Sequence, residues 1–390
     1  MMININGAAV FSDNKFKRDN YSFTVDSSAF FGTSVDGSDI YVLPGFADVH
    51  VHFREPGFSY KETIKTGSMA AARGGYTTVC TMPNLNPTPD NLENLKKQLD
   101  IIERDAVINV VPFGSITVGE NGKVLSDLLS MAPYVCGYSD DGRGVDDVGL
   151  MREAMSISAS LGKVVSAHCE DGTQIKDSPE AEWKEIERDI KLASDTGCKF
   201  HVCHISTKES VSLIRDAKKS GVDITCETAP HYLVFSDNDV LDDGRFKMNP
   251  PIRTANDQIA LIEGVCDGTI DMIATDHAPH SAEEKSKGFA GSLNGIVGLE
   301  TAFPVLYTYM CKKGIITLDR LVDMMSVAPY KRFDLKPNGM CVVDLGKSFK
   351  VDPEKFETMG RSSPFTGMDL FGEVLATVID SRALYFNKQH

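Results

Sequence analysis

Two histidines and an arginine lie close together at the end of an apolar stretch. His50, His52 and Arg54 occur in the run Val-His-Val-His-Phe-Arg. Side chains alternate between the faces of a β-strand, so in a strand over residues 45–52 both imidazoles project from one face. Two neutral imidazoles can bind one Zn²⁺ ion at about 2.0–2.1 Å, and a nearby guanidinium can hold a carboxylate. The alternative is a solvated loop entry without a ligand.

The elements that must position these residues follow a regular alternation. From Pro44 onward, short apolar segments alternate with amphipathic helical segments, which is typical of a parallel sheet built from βα units. The predicted strands are Phe46–His52, Thr77–Met82, Ile108–Phe113, Val135–Ser139, Val164–His168, Phe200–His204, Asp223–Glu227 and Asp271–Thr275. Eight such units favour an α/β fold, a closed (β/α)8 TIM-like barrel.

The two ends of the chain have a different pattern. Residues 1–43 and 331–390 contain short β-like segments, and we predict that they form one small β-domain beside a barrel over residues 44–330. Polar interruptions at Ser12–Asn20 and Thr33–Ser38 predict that this domain is reduced. Within the barrel, Ser281–Gly298 contains no apolar period and is predicted to be a loop that acts as a mobile lid.

Composition excludes several classes of partner. The 390-residue chain has a net charge of −15, which argues against nucleic acid and anionic membranes. No apolar run approaches the ~20 residues of a membrane span. Nine cysteines occur without a Cys-x-x-Cys pair, which indicates buried thiols in a reducing compartment. We therefore predict a cytoplasmic protein.

Chemically active residues recur where predicted strands end. Active sites of βα barrels lie at the carboxyl ends of the strands, and eight of the nine histidines lie between residues 50 and 280, within or just after these strands. The candidates after His50 and His52 are Asp140, Asp141, His168, His204, Asp276, His277 and His280. His201 is predicted to be a core histidine on the helix-facing side, because it lies three residues before His204. His231 either contacts substrate or caps a loop, and His390 is the last residue.

Six candidate ligands are too many for one tetrahedral zinc ion. They are His50, His52, His168, His204, one of the two strand-four aspartates and Asp276. Such a set suits two ions roughly 3.5–4 Å apart with a hydroxide between them, since zinc lowers the pKa of bound water to about 7. Asp276 is then placed to take the proton and return it to a leaving group. This chemistry is hydrolysis, or its reverse, at an acyl or amide carbon.

These residues stand in motifs that resemble the dihydroorotase family of the amidohydrolase superfamily. The motifs occur in family order between Leu43 and Pro329: His-Val-His-Phe-Arg-Glu-Pro-Gly, Thr-Met-Pro-Asn, Ser-Asp-Asp-Gly, Ala-His-Cys-Glu-Asp, His-Val-Cys-His-Ile-Ser-Thr, Met-Asn-Pro-Pro-Ile-Arg, Ala-Thr-Asp-His-Ala-Pro-His and Gly-Leu-Glu-Thr. The resemblance implies a barrel of the metal-dependent hydrolase type. It also implies zinc-dependent interconversion of dihydroorotate and N-carbamoyl-aspartate in pyrimidine synthesis, with one or two ions per subunit.

The resemblance also assigns individual residues. Many superfamily members bridge their metals with a carboxylated lysine from strand four, but this sequence resembles the branch with an aspartate there, and the spacing to His168 favours Asp141 over Asp140. The residues implied in substrate binding are Arg54, Asn84, Asn249, His280, Val297 and Gly298. A homo-oligomer is expected, and an association with aspartate transcarbamoylase is compatible with the family.

Three alternative functions are weighed against this one. A hydantoinase, dihydropyrimidinase or allantoinase would generally keep the bridging lysine, and the first two need no pocket for a ring carboxylate. A catalytically silent partner subunit of aspartate transcarbamoylase would be expected to lose metal ligands. A promiscuous metal-dependent amidase would turn over many cyclic amides with similar kcat/KM.

Overall fold

The computed structural model describes residues 2–12, 15–25 and 34–387. The strands are β1 (Met2–Ser12), β2 (Lys15–Thr24), β3 (Ser34–Asp36), β4 (Ile40–Pro44), β5 (Phe46–Val51), β6 (Tyr76–Thr81), β7 (Asn109–Pro112), β8 (Gly114–Ser115), β9 (Gly137–Ser139), β10 (Val164–Ala167), β11 (Lys199–Val202), β12 (Ile224–Thr228), β13 (Met272–Ile273), β14 (Met340–Lys350), β15 (Asp369–Ile379) and β16 (Arg382–Phe386).

The α-helices are α1 (Ile64–Arg73), α2 (Leu92–Asp105), α3 (Leu128–Met131), α4 (Val148–Ser160), α5 (Pro179–Thr196), α6 (Lys208–Lys219), α7 (Pro230–Val234), α8 (Ala255–Asp267), α9 (Ala282–Lys285), α10 (Gly288–Gly291), α11 (Ala302–Leu306), α12 (Leu318–Val322) and α13 (Ala328–Arg332). Two π-helical turns, Tyr307–Cys311 and Asp323–Val327, extend α11 and α12. Single 3₁₀ turns occur at Val118–Glu120, Ala132–Tyr134, Asp237–Asp239, Gly244–Phe246 and Pro353–Lys355.

The strands between β5 and β13 close into a parallel barrel. β5, β6 and β7 pair in that order, and β8 to β13 form a second continuous run. β7 and β8 are two parts of one barrel strand, divided at Phe113, whose N–H still donates to the Thr81 carbonyl at 2.9 Å. The ring closes where Val51 pairs with His277. Each of the eight predicted strands overlaps an observed one, and the predicted (β/α)8 barrel is confirmed.

The interior of the barrel below its mouth is filled by apolar side chains. Val49, Cys80, Phe113, Cys203 and Met272 are buried in one cluster. They come from five different strands or strand ends, so they can meet only inside the barrel.

Strands from both ends of the chain form one seven-stranded sheet, in the order β2-β16-β15-β14-β4-β1-β3. The sheet joins the barrel directly, because β4 is followed by β5 after Gly45. The predicted β-structure assembled from both termini is confirmed, whereas the boundaries at 43/44 and 330/331 stay a prediction. The polar interruption at Ser12–Asn20 belongs to β2 from Lys15 onward, an exposed strand whose polar side chains give no alternating pattern, and Asp13 and Asn14 lie outside the described residues. Thr33 and His390 lie outside the described residues.

Residues 281–298 are more ordered than the predicted loop. Ser281 begins α9 by accepting a hydrogen bond from the Glu284 N–H, α10 follows, and Ile296 then pairs with His277. The prediction of a structureless loop is wrong, because a serine cap and a glutamate three residues later are sufficient to begin a single turn. A role as a closing lid stays a prediction.

Helix ends follow their local sequence. Ser178 caps α5 at its start, Pro179 takes the first helical position, and Gly197 ends the helix with φ 69°.

All nine cysteines are free, and seven of them are buried, as predicted. Among the described residues, no helix is long and apolar enough to cross a membrane.

The barrel helices allow a matched test of packing. Ile214 in α6 is fully buried, whereas Ile259 in α8 is 53% exposed. We expect Ile214→Ala to lower the free energy of unfolding by about 2–5 kcal/mol, because it leaves a cavity. Ile259→Ala should change it by less than about 0.5 kcal/mol. Urea unfolding followed by circular dichroism measures both, and equal losses would contradict the assigned packing.

Candidate metal centre at the barrel mouth

Six predicted ligands meet at the carboxyl ends of the barrel strands. Each of them is at most 6% exposed: His50, His52, Asp141, His168, His204 and Asp276. Three groups of donor atoms could hold an ion, and two of them consist of these ligands: His50, Asp141 and His204 form one, and His50, His52 and Asp276 form the other. The barrel therefore brings together residues that are up to 226 positions apart in sequence, from His50 to Asp276.

Asp141 lies at the centre of this cluster. Its Oδ1 is 3.2 Å from His50 Nε2 and 3.7 Å from His204 Nε2. Its Oδ2 is 3.5 Å from His52 Nε2, and His168 Nδ1 lies 4.0 Å from Oδ1. A carboxylate that faces four imidazoles through both oxygens has the geometry needed to bridge two cations.

Asp140 has a different environment. Its Oδ1 accepts hydrogen bonds from the backbone N–H groups of Ile116 (2.7 Å) and Thr117 (3.0 Å), and the Thr117 hydroxyl donates to Oδ2. Burial raises its pKa to about 7, against the effect of these hydrogen bonds. Asp140 therefore anchors a neighbouring loop, and its oxygens are not free for a metal ion.

Asp276 follows β13 and faces the imidazoles of strand one. Its Oδ1 is 3.0 Å from His52 Nε2 and 3.6 Å from His50 Nε2. The residue has φ 48°, a left-handed conformation that is uncommon outside glycine. Such backbone geometry is concentrated at functional sites, where the surrounding structure holds it in place.

The protonation of the strand-one imidazoles fits a bound metal ion. His50 Nδ1 is 2.8 Å from Glu227 Oε1 and His52 Nδ1 is 3.0 Å from Asn84 Oδ1, so both Nδ1 atoms carry the proton and both Nε2 atoms keep a lone pair. His50 Nε2 and Asp141 Oδ1 are buried without a hydrogen-bond partner. Metal-binding histidines commonly donate their other N–H to an oxygen acceptor in this way. A cation would satisfy these orphaned atoms.

His168 and His204 reach the cluster by different routes. β11 ends at Val202, and His204 has φ 29°, so its ring returns to the mouth instead of following the strand alternation. Its Nε2 is 3.0 Å from His168 Nδ1. His168 Nε2 lies 3.4 Å from Glu170 Oε2, which leaves Nδ1 for the centre of the cluster.

The prediction that His201 lies on the helix-facing side is wrong. Its Nε2 is 3.0 Å from Glu227 Oε2, and Glu227 also binds His50, so the ring lies on the interior side of the barrel. Strict alternation failed because the backbone leaves the strand before His204. His201 is nevertheless a satisfied core histidine, since its Nδ1 contacts Thr225 Oγ1 at 2.8 Å.

The two central carboxylates remain ionised despite their burial. Burial raises the pKa of Asp141, but the neighbouring His50, His204 and His52 bring it well below its usual range. For Asp276, burial is likewise outweighed by the neighbouring His52, His50 and His204, which bring its pKa below its usual value. Ionised carboxylates are the form that a metal ligand or a general base requires.

The residues implied in substrate binding surround the ligand cluster. Arg54 Nε donates to the Pro279 carbonyl at 3.3 Å, and its Nη2 lies 3.4 Å from His280 Nε2. Asn84 Nδ2 donates to Asp141 Oδ2 at 3.4 Å. The Arg54 guanidinium therefore lies at the rim of the site, beside the Asn84 side-chain amide, which contacts the ligand cluster.

Asn249 and the segment Val297–Gly298 complete the surroundings. Asn249 Nδ2 donates to Glu170 Oε2 at 3.1 Å. The Val297 N–H donates to the Ser362 carbonyl at 2.9 Å, and the Gly298 N–H donates to His277 Nδ1 at 3.2 Å. Both N–H groups are thus used within the protein, so a ligand contact with this segment must use another backbone atom.

His231 belongs to the same region, although the sequence left its role open. It lies in the first turn of α7, is buried, and its Nε2 has no hydrogen-bond partner. Burial lowers its pKa to about 4, and the charges of Asp276 and His204 also act on it. The imidazole is therefore neutral at pH 7 and near the cluster.

Glu227 and Glu62 were not identified from the sequence. Glu227 is the last residue of predicted strand seven, so its position at a strand end could have indicated its contact with His50. Glu62 lies after strand one, and its Oε2 is 3.5 Å from His277 Nε2. No local pattern signals this contact, because the partners are 215 positions apart in sequence.

Comparison with known proteins identifies the family. A family model described as Dihydro-orotase-like matches residues 40–179. A dihydroorotase from Fusobacterium nucleatum subsp. nucleatum is 46% identical over 382 residues, covering 91% of this chain and 90% of the relative. The chain belongs to the dihydroorotase family. Another dihydroorotase, from Enterococcus faecalis, is 44% identical over 379 residues, covering 90% and 89% of the two chains.

Solved structures agree with this family in fold. L-hydantoinase (dihydropyrimidinase) from Arthrobacter aurescens has a TM-score of 0.85 at 24% identity, covering 98% of this chain and 96% of that one. At such low identity the likeness supports the fold alone. The dihydroorotase assignment therefore rests on the sequence relatives, and the expected family resemblance is confirmed.

The two strand-four aspartates make a matched pair of variants. We expect Asp141→Asn to lower the zinc content of purified protein, because it weakens the central carboxylate of the cluster. Asp140→Asn should keep the zinc but lower the free energy of unfolding, because it disturbs the anchor at Ile116 and Thr117. Elemental analysis and urea unfolding measure the two effects, and the opposite order would reverse our choice of aspartate.

Proposed function

We propose that this protein is a dihydroorotase, which reversibly hydrolyses the cyclic amide of (S)-dihydroorotate to N-carbamoyl-L-aspartate in pyrimidine (UMP) synthesis. One observation carries the proposal: a buried cluster of metal-ligand side chains lies in contact with Asp276 and beside Arg54, in a chain of the dihydroorotase family. The cluster of metal-ligand side chains, together with Asp276, suits amide hydrolysis. The guanidinium suits a substrate that also bears a carboxylate.

Zinc is the metal we propose, with one or two ions per subunit. His50, His52 and Asp276 would hold one ion, and His168 and His204 a second, with Asp141 between them. Nitrogen and carboxylate donors are ligands that zinc accepts. When bound, the metal would activate water as the nucleophile and polarise the amide carbonyl.

Asp276 is the proposed general base and acid. Its ionised carboxylate can take a proton from the attacking water at Oδ1 or Oδ2. The bond between the carbonyl carbon and the ring nitrogen then breaks, and the same proton passes to that nitrogen. In the reverse direction, the amide nitrogen gives up this proton as the ring closes. A positioned carboxylate in this role contributes roughly 10²–10⁴ in rate.

Arg54 is proposed to bind the substrate carboxylate, together with Asn84, Asn249 and His280. A guanidinium fork matches the two oxygens of a carboxylate, and burial favours such a pair over one in water. The backbone of Val297–Gly298 would contact the ring. A local cation is needed here, because the protein as a whole carries a net charge of −15.

Assembly and location complete the proposal. Seven buried thiols without disulfides support a reducing compartment, and we propose the cytoplasm. We also propose a homo-oligomer. An association with aspartate transcarbamoylase is compatible with the family. Size-exclusion chromatography of the protein alone would detect the homo-oligomer, and the same measurement with that enzyme added would detect the association.

The first test is interconversion of N-carbamoyl-L-aspartate and L-dihydroorotate by the purified protein, with and without added zinc. Turnover in both directions is expected, and Asp276→Asn should reduce kcat by at least about 10² while circular dichroism stays unchanged. Hydantoin serves as a comparison substrate without the carboxylate. Faster turnover of hydantoin, or full activity of Asp276→Asn, would contradict the proposal.

A second test concerns the substrate carboxylate. Arg54→Ala should raise KM for dihydroorotate by roughly tenfold or more, because a charge-assisted pair is lost. Arg104→Ala is the control, since the Arg104 side chain is 66% exposed and pairs with the adjacent Asp105. An unchanged KM for Arg54→Ala would remove Arg54 from the binding site.

A further inference from the structure

His280 lies between two cations at the rim of the site. Arg54 Nη2 is 3.4 Å from His280 Nε2, and Lys61 Nζ is 3.2 Å from His280 Nδ1. The Asn294 carbonyl oxygen is 2.7 Å from Nε2. Nε2 thus faces a donor and an acceptor, of which the acceptor is closer, whereas the shortest contact of Nδ1 is with a donor.

These partners decide which nitrogen carries the proton. An ammonium group only donates hydrogen bonds, and a carbonyl oxygen only accepts them. Nδ1 must therefore hold its lone pair toward Lys61, while Nε2–H donates to Asn294. Burial, then the charges of Arg54 and Lys61, lowers the pKa of His280 to about 3, so the ring stays neutral.

Lys61 is itself fixed in place. Its Nζ is 3.0 Å from Glu284 Oε1, which also accepts from the Tyr60 hydroxyl at 3.1 Å. The Ser281 N–H donates to Glu284 Oε2 at 3.0 Å. The Lys61 side chain is only 12% exposed, which makes this ion pair stronger than one in open solvent. Lys61 thus connects the segment after strand one with α9.

Glu284 is also a competitor for the His280 proton. Its Oε2 lies 3.4 Å from His280 Nδ1. If the ammonium were absent, this carboxylate could accept a hydrogen bond from Nδ1, and the proton would move from Nε2 to Nδ1. The ring would then present a lone pair, not an N–H, on the side of Arg54.

We propose that Lys61 is a positioning residue that holds His280 in the Nε2–H form, which keeps that N–H on the Asn294 carbonyl and leaves Arg54 Nη2 free to donate to an anionic group of the substrate. This inference rests on the proposed function, because the anionic group is the carboxylate of dihydroorotate. A lone pair at Nε2 would instead accept a hydrogen bond from Arg54 Nη2, 3.4 Å away, and would compete with the carboxylate for that N–H. Lys61 acts through His280 and not by touching the substrate.

The direct test is nitrogen NMR of the imidazoles in zinc-loaded, full-length protein with ¹⁵N-labelled histidine. The signals of His280 are identified by their loss in His280→Gln. In the wild type, Nε2 should appear protonated and Nδ1 unprotonated. In Lys61→Met, the proton should move to Nδ1 or both nitrogens should become protonated.

Kinetics provide the second readout. Lys61→Met should raise KM for dihydroorotate at least about tenfold, with a much smaller change in kcat. Lys65→Met is the matched control, because Lys65 is an exposed lysine four residues further along the chain. It should leave the His280 spectrum and both kinetic constants unchanged, and thermal unfolding should confirm that both variants are folded.

A double variant separates the hydrogen bond from a general structural effect. Lys61→Met combined with Glu284→Met removes the competing acceptor at Nδ1, so the Asn294 carbonyl is the remaining acceptor and the Nε2–H form should return. An unchanged His280 tautomer in Lys61→Met, or a double variant that keeps its proton on Nδ1, would overturn the proposal. Absence of wild-type turnover would instead refute the proposed function, while the spectra would still decide the role of Lys61.

Discussion

The barrel mouth depends on one buried carboxylate, Glu227. Its Oε1 binds His50 Nδ1 at 2.8 Å and its Oε2 contacts His201 Nε2 at 3.0 Å. Burial raises the pKa of Glu227, but His201 and His50 bring it well below the usual value, so the carboxylate stays ionised. As an acceptor with no proton, it obliges His50 to present the lone pair of Nε2 to the centre of the cluster. Without this constraint, the ring could adopt either tautomer.

Three ionised carboxylates share this buried site, and the contacts of each one explain how its charge is balanced. Glu227, Asp141 and Asp276 are all buried, and an isolated buried charge would be expensive. The first carboxylate is balanced by hydrogen bonds from two imidazoles. Asp141 accepts one long hydrogen bond from Asn84, and otherwise Asp141 and Asp276 face imidazole nitrogens, so a cation between them would balance their charge. The atoms His50 Nε2 and Asp141 Oδ1, which have no hydrogen-bond partner, lie where such a cation would be bound.

Much of this site could be predicted because βα periodicity fixes which residues reach the carboxyl ends of the strands. His50, His52 and His168 follow from that rule alone. His201 was placed on the wrong side because strand alternation was extended through His204, where the backbone has φ 29°. The helical turns within residues 281–298 escape a sequence-based prediction because a one-turn helix is too short to show an apolar period. Contacts such as Glu62 with His277 depend on tertiary packing and leave no local signal.

The two ends of the chain also take part in shaping the mouth. The segment between β14 and β15 returns to the barrel, where the Ser362 carbonyl accepts from the Val297 N–H and the Thr358 hydroxyl donates to Glu62. Glu62 contacts His277, whose Nδ1 in turn accepts from the Gly298 N–H. The backbone beside the ligand cluster is therefore held by residues that belong to neither a barrel strand nor a barrel helix. For this reason the terminal sheet and the barrel must fold together for the site to be complete.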